Sequence, residues 1–416
     1  MIAQTPPMGW NSWDCYGAAV TEDTVRANAE YMASRLKQYG WEYIVVDIQW
    51  ARANARDHGY EPFADLTMDE FGRLTPALNR FPSAKDGAGF RPLADYIHSL
   101  GLKFGIHIMR GLPRAAAHRR LPVEGGNGYY CHTAADPHSV CMWNPDMYGL
   151  KCDVQDAKAY YDSIFRLYAS WGVDFVKCDD IAREYPHCRR EIELISEACR
   201  NCGREIVLSL SPGPAPLEEA EHLKANANMW RITDDFWDDW NLLKGMFERA
   251  GKWCVHSAPG HWPDADMLPV GALRQCEDPS EWTRFTPAEQ RTMMTLWCMM
   301  RSPLMIGGEL TKNDSFTLSL LTNASVLQIL KEGWCAHPLR TLPEESVWIS
   351  PRRDGAGVWV ALFNLSGRKR TVTLSAEETG LPFFRGQELW SGREVRKSGS
   401  LRASLPPHDA AVFLMK

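Results

Sequence analysis

Eight short apolar runs that end in polar or charged residues constrain this chain more than any other feature. They are Pro6–Trp13, Tyr43–Gln49, Lys103–Met109, Val173–Asp179, Ile206–Ser211, Met229–Thr233, Trp253–His256 and Ser302–Gly307. Most are separated by segments of helical period. Thr21 opens one helix, with Val25, Ala29, Met32 and Leu36 on its buried face and Gly40 as its stop. Others cover Arg91–Leu100, Asp156–Ser170, Glu191–Arg200 and Thr286–Met300. This alternation predicts a (β/α)8 TIM barrel of the α/β class. A doubly wound sheet would want a glycine-rich turn that opens a helix after an early strand, and Gly101-Leu-Lys-Phe-Gly105 lies at and within a strand instead. Residues 51–90 and 110–152 lack helical period and read as two long excursions over the carboxyl end of the strands. From about residue 336 the texture changes to alternating runs: Ser346–Ser350, Gly357–Asn364, Arg370–Leu374 and Ala410–Leu414. The chain is therefore expected to divide into a catalytic barrel at 1–335 and an antiparallel β-sandwich at 336–416.

Composition excludes several classes. A net charge of -6 gives no electrostatic footprint for nucleic acid, and no run of 18 apolar residues suggests a membrane span. The first residues lack a basic segment followed by an apolar one, so a cytoplasmic location is expected. The 12 cysteines are scattered, and the lone Cys199-x-x-Cys202 has no second pair to complete a zinc site, so reduced thiols are expected. No cofactor and no metal is called for; a homo-oligomer is compatible with the sequence.

The charged run ends carry the chemistry. Trp171–Asp180 reads as a buried strand that emerges in Lys177, Cys178, Asp179 and Asp180. Period two places Lys177 and Asp179 on one face, where the ammonium favours the ionised carboxyl that a nucleophile needs. The same pair also suits a salt bridge that closes the barrel mouth. Trp13, Asp47, His107, Arg231 with Asp235, and Asp264 with Asp266 also stand at run ends or in the loops just beyond, and in a barrel these ends converge on one mouth. No phosphate loop, Ser-His-Asp order or H-E-x-x-H motif competes. Paired carboxylates in a chain with 17 tryptophans are the equipment of a glycoside hydrolase, with aromatic faces to stack on a sugar. Two rivals stay open at this point. One is a metal-dependent barrel hydrolase using His107, His256 and His261; the other is a non-catalytic sugar-binding barrel.

Several ordered segments resemble the α-galactosidase (melibiase) family, glycoside hydrolase family 27. They are Met8-Gly-Trp-Asn-Ser-Trp13, Val46-Asp47, Gly105-Ile-His107, Lys177-Cys-Asp179, Trp230-Arg-Ile-Thr-Asp-Asp235, Trp262-Pro-Asp-Ala-Asp-Met267 and Ser302-Pro-Leu-Met-Ile-Gly307. The resemblance implies a retaining exo-glycosidase working by double displacement on a terminal sugar, with a C-terminal β-sandwich. It implies Asp179 as nucleophile and Asp235 as acid/base, with Asp234 left to a surface or supporting role. It also implies that Lys177, Arg231 and Asp47 bind sugar hydroxyls, that Trp13 is a stacking platform and that Asp266 is a pocket-wall residue. Departures bear on the sugar. The family has two consecutive aspartates at the end of strand two; here they are Asp47 and Ile48. Isoleucine accepts no hydrogen bond, and it crowds the hydroxymethyl group that α-D-galactose carries and β-L-arabinopyranose lacks. A minority of the family cleaves β-L-arabinopyranosides, which makes that sugar the alternative to galactose. The other reading points Ile48 into the helix layer and leaves Gln49 or a loop residue to make the contact. His107 replaces a tyrosine and is a candidate for binding a hydroxyl. Small residues ending in Ser211 replace a Glu-Trp segment on the sugar's C2 side, so an α-N-acetylgalactosaminidase is a third possibility.

Overall fold

In the computed structural model, which describes residues 2–379 and 383–416, eight parallel strands run in chain order around a barrel. They are β1 (Met8–Asn11), β2 (Tyr43–Val46), β3 (Lys103–Met109), β4 (Phe175–Asp179), β5 (Val207–Leu210), β6 (Met229–Arg231), β7 (Trp262–Asp264) and β8 (Leu304–Ile306). β1 pairs with both β2 and β8. A parallel bridge between Leu268, just beyond β7, and Ile306 closes the ring. Side chains alternate as a barrel requires. Tyr43, Val45, Phe175, Val207, Met229, Trp262 and Met305 form the interior core. Ile44, Val46, Val176, Cys178, Leu208, Trp230 and Leu304 face the helices. Gly105 is required inside the ring, since a Cβ there would stand 2.9 Å from both Phe175 and Val45 side-chain atoms.

Local sequence explains the surrounding helices. Thr21 caps Glu22–Tyr31 through reciprocal bonds with Thr24. Thr286 and Glu289 form the same box before Pro287–Met300, a helix buried on nearly every side. One strand expectation is corrected. Trp253–His256 ends the helix Trp240–Trp253 in a single tight turn, and the seventh strand is Trp262–Asp264, a few residues further on. A four-residue apolar run does not distinguish a helix end from a strand, and Pro263 disguised the real one. The excursion 110–152 also contains structure that its sequence hid: an antiparallel sheet of Leu112–Pro113, Met147–Leu150 and Ala135–Val140.

The C-terminal module packs a six-stranded antiparallel sheet on a two-stranded one, Arg370–Ser375 with Ser400–Leu405. In the central strand Val358–Asn364, Val360 and Leu362 face the small sheet, while Trp359, Ala361 and Phe363 face the barrel helices. All 12 cysteines are free thiols. Among the described residues no helix is long and apolar enough to cross a membrane.

Candidate active site

Strand alternation builds the site. Above the interior core, the next inward positions are polar: Asn11, Asp47, His107, Lys177 with Asp179, Arg231 and Asp264. Of these, Asp47, Lys177, Asp179 and Arg231 open into a pocket of about 250 Å3. That is below the roughly 300–1,000 Å3 of pockets for drug-sized ligands and suits a single sugar unit. Trp13, Asp47, Lys177, Asp179, Arg231, Asp235 and Asp266 all line it. Asp179 and Asp235, from different strand ends, thus face one hollow.

The motif at residues 11–13 has a visible purpose. Asn11 donates to Asp47 Oδ2 at 2.7 Å, and its own Oδ1 accepts from the Trp13 N–H at 2.8 Å. Ser12 Oγ accepts from the Asp47 N–H at 3.0 Å. Lys177 Nζ donates to the same Asp47 Oδ2 at 2.9 Å. Burial works against both charges, but the pair outweighs it: Lys177 lies above the ordinary lysine range and Asp47 below the ordinary carboxylate range.

Asp179 is held as an anion. Burial opposes its charge, yet the hydrogen bond and charge of His107, then Lys177 and the Asp180 N–H, bring its carboxyl far below the usual range. His107 Nε2 donates to Asp179 Oδ2 at 2.9 Å, and the Asp180 N–H donates to Oδ1 at 3.0 Å. Asp235 is different. Its side chain is 60% exposed and takes one bond from Arg231 at 3.1 Å. Arg231 also pairs with Asp266 at 2.8 Å. Deeper in the barrel, burial and then Asp266 push Asp264 up to about 7. Asp234 takes Arg183 at 2.7 Å and accepts from the Asp235 N–H at 2.9 Å, so it supports its neighbour from the rim.

Three residues expected to touch substrate stand behind the wall. His107 is 2% exposed and is occupied by Asp179. Ser211 is buried, and its backbone ties β4 to the turn at Ile181; its Oγ has no partner among the described residues. Ile48 points neither into the pocket nor into the helix layer. It packs with Met109, Cys141 and Met147 beneath Trp13, Tyr60 and Trp143, because the excursion 110–152 folds back over the end of β2. Gln49, the expected substitute, donates to Asp146 instead, at 2.7 Å.

Other wall residues were missed. Tyr60 lies flat against Trp13, centroids 5.5 Å apart and planes 6° apart, and Trp143 leans on Tyr60. Both sit in aperiodic loops, where sequence carries no signal of proximity. Asp14 also lines the pocket. Burial, then Asp266, raises its carboxyl well above the usual range, and its Oδ2 has no partner among the described residues. Its place beside Trp13 was the one available hint.

Unlike carboxylates facing one hollow are what cleavage of a glycosidic bond demands, and the chain is a glycoside hydrolase on a (β/α)8 barrel. Comparison with known proteins makes this narrower. The family pattern described as alpha galactosidase A matches residues 5–158 and 146–332, and that of the alpha galactosidase C-terminal beta sandwich domain matches 344–415. The chain belongs to the α-galactosidase (melibiase) family. It is similar to a β-L-arabinopyranosidase of glycoside hydrolase family 27 from Geobacillus stearothermophilus, with 53% identity, a TM-score of 0.96, and 100% of this chain and 97% of that one covered. A variant of that enzyme, solved with arabinose, matches equally at 53% and 0.96, covering 100% of this chain and 98% of that one. A Bacillus halodurans C-125 protein, provisionally described as an α-N-acetylgalactosaminidase, is 51% identical with a TM-score of 0.89, covering 100% and 98%. An α-galactosidase from Cyamopsis tetragonoloba is 28% identical, over 100% of this chain and 87% of its own length.

Proposed function

We propose that the protein is a retaining exo-glycosidase that releases terminal β-L-arabinopyranosyl residues in preference to α-D-galactosyl ones. Asp179, held ionised by His107 and Lys177, attacks the anomeric carbon. Asp235 gives its proton to the leaving oxygen, then takes one from the water that hydrolyses the glycosyl-enzyme. Asp47, Lys177 and Arg231 hold ring hydroxyls, Trp13 supports the apolar sugar face and Asp266 fixes Arg231. The barrel of residues 1–335 carries all of this chemistry.

The observation that carries the sugar choice is Ile48. The end of β2 supplies one carboxylate, Asp47, and the next side chain is an apolar strut beneath the aromatic wall. A galactose hydroxymethyl group thus finds one acceptor fewer than paired aspartates would supply, whereas arabinopyranose lacks that group. The arabinopyranosidase relative, at 53% identity, supports the same reading. The test is kcat/KM on p-nitrophenyl β-L-arabinopyranoside and α-D-galactopyranoside. A hydroxymethyl misfit is worth about 10–200-fold, so the arabinoside should lead by that order. Preference for the galactoside overturns the sugar while leaving the hydrolase intact. The second reading, an α-N-acetylgalactosaminidase, draws on the Bacillus halodurans relative. The N-acetyl-α-D-galactosaminide in the same assay decides it.

A further inference from the structure

Outside the pocket wall, His58, Cys276 and Glu277 bring one ligand atom each within 4.8 Å of one another. His58 comes from the excursion 51–90, and the other two come from the loop between β7 and the helix Pro287–Met300. His58 Nδ1 lies 2.7 Å from Glu277 Oε1 and 3.9 Å from Cys276 Sγ. Its Nε2 lies 2.8 Å from the backbone carbonyl of Trp13.

A carbonyl oxygen only accepts, so Nε2 donates to Trp13, and Nδ1 is turned toward Cys276 and Glu277. A ring held through one nitrogen by a backbone carbonyl, with the other turned to a thiol and a carboxylate, has the orientation of a metal-ligating histidine. Imidazole nitrogen, thiolate and carboxylate together are the donor set of zinc and similar borderline-soft ions. Bond lengths of about 2.0 Å to nitrogen and 2.3 Å to sulfur put those atoms about 3.5 Å apart in a tetrahedron, a few tenths inside the spacing seen here. The nitrogen and a carboxylate oxygen on one ion stand about 3.3 Å apart, so the 2.7 Å contact opens on binding, and Glu277, 43% exposed, is free to move.

Both ligand loops are fastened to the segment that carries the stacking platform. The Ala18 N–H donates to the Asp57 carbonyl at 2.7 Å. The Arg274 and Gln275 N–H groups donate to the Asp14 and Cys15 carbonyls at 2.8 and 2.6 Å. The His58 ring stands edge-on to Trp13 and Trp237, both on the pocket wall. We propose that His58, Cys276 and Glu277 form a site for a zinc-like divalent cation that ties these two loops together and braces Trp13. The ion takes no part in bond cleavage.

The full chain, freed of metal with a chelator, is titrated with cobalt(II) as a coloured stand-in for zinc. A thiolate-to-cobalt charge-transfer band should saturate at one equivalent and vanish when zinc is added. Cys276→Ser should abolish it. His58→Gln, whose amide still reaches the Trp13 carbonyl, should weaken binding about tenfold or more. Zinc should also raise the Tm of the wild type and leave that of Cys276→Ser unchanged. If Cys276→Ser does not fold, Glu277→Gln at its exposed position takes its place and should weaken cobalt binding likewise. Absence of the band overturns the site and leaves His58 and Glu277 as a simple ion pair. A band retained in the variants overturns it too, by assigning the metal to another cysteine.

Discussion

At the level of single residues, the reaction depends on two carboxyl groups being kept unlike. Asp179 is enclosed and held by donors on both oxygens, whereas Asp235 is open to water and shares Arg231 with Asp266. Asp179→Asn should therefore lower kcat by about 10⁴ or more while sugar binding, read by calorimetry, survives. Asp235→Asn should lower it by about 10²–10⁴, and less on aryl glycosides whose leaving group needs little protonation. Equal losses on good and poor leaving groups would remove Asp235 from the acid role. Asp264 sets a pH dependence of stability. Its carboxyl is raised from 3.8 to about 7 in the folded chain, so the folded state keeps a proton that the unfolded state has released. Stability is thus lost as pH rises from roughly 4 to 7 and levels off above, by on the order of 4 kcal/mol. Asp180, raised by burial to about 6, adds to the same slope. Asp179 and Asp47, both lowered, act in the opposite sense and withdraw stability only below the ordinary carboxylate range. Asp264→Asn should flatten the fall in Tm between about pH 5 and 7; an unchanged slope would place the titration elsewhere.

At the level of elements, the barrel strands supply charge and the loops supply shape. The excursion 51–90 brings Tyr60 to the wall, and it is held down by Arg80. That buried guanidinium donates to the carbonyls of Ala18, Val20, Gln49 and Arg52. Burial, then Arg52, lowers its pKa to about 10. Arg80→Met keeps the apolar volume but leaves four carbonyls short of a donor, and it should cost about 3 kcal/mol or more by chemical denaturation. Because the same loop carries Tyr60, KM should rise more than kcat falls. The strands were legible because buried β-runs ending in charge are a strong local pattern. The strand Trp262–Asp264 was not, since three residues including a proline carry almost no periodicity of their own.

At the level of the whole molecule, the sandwich is part of the barrel's core. Phe363 meets Phe247 edge-on at 4.9 Å, Trp390 donates to Thr295 at 3.0 Å, and Arg291 pairs with Asp409 at 2.8 Å. His408 stacks on Trp240 at 3.7 Å while bonding Glu289 at 2.7 Å. Shared apolar burial of this kind couples unfolding. The chain should melt in one calorimetric transition, and Phe363→Ala should lower its Tm by the equivalent of about 3–5 kcal/mol without splitting it. Two separate transitions in the wild type would show that the contact is incidental.

What the sequence determined by itself was whatever has a local or ordered signature: the alternation of strand and helix, the texture change near residue 336, and the carboxylates at strand ends. Period two alone was enough to set Lys177 and Asp179 on one face. Tertiary structure decided the rest, because it depends on which loops meet. Ile48 lies under the aromatic wall, Gln49 turns to Asp146, and His107 is taken up by Asp179. Tyr60 and Trp143 reach the pocket from segments without any period. A side chain's type is written in the chain, but its partners are chosen by packing among residues distant in sequence, and no local pattern encodes that choice.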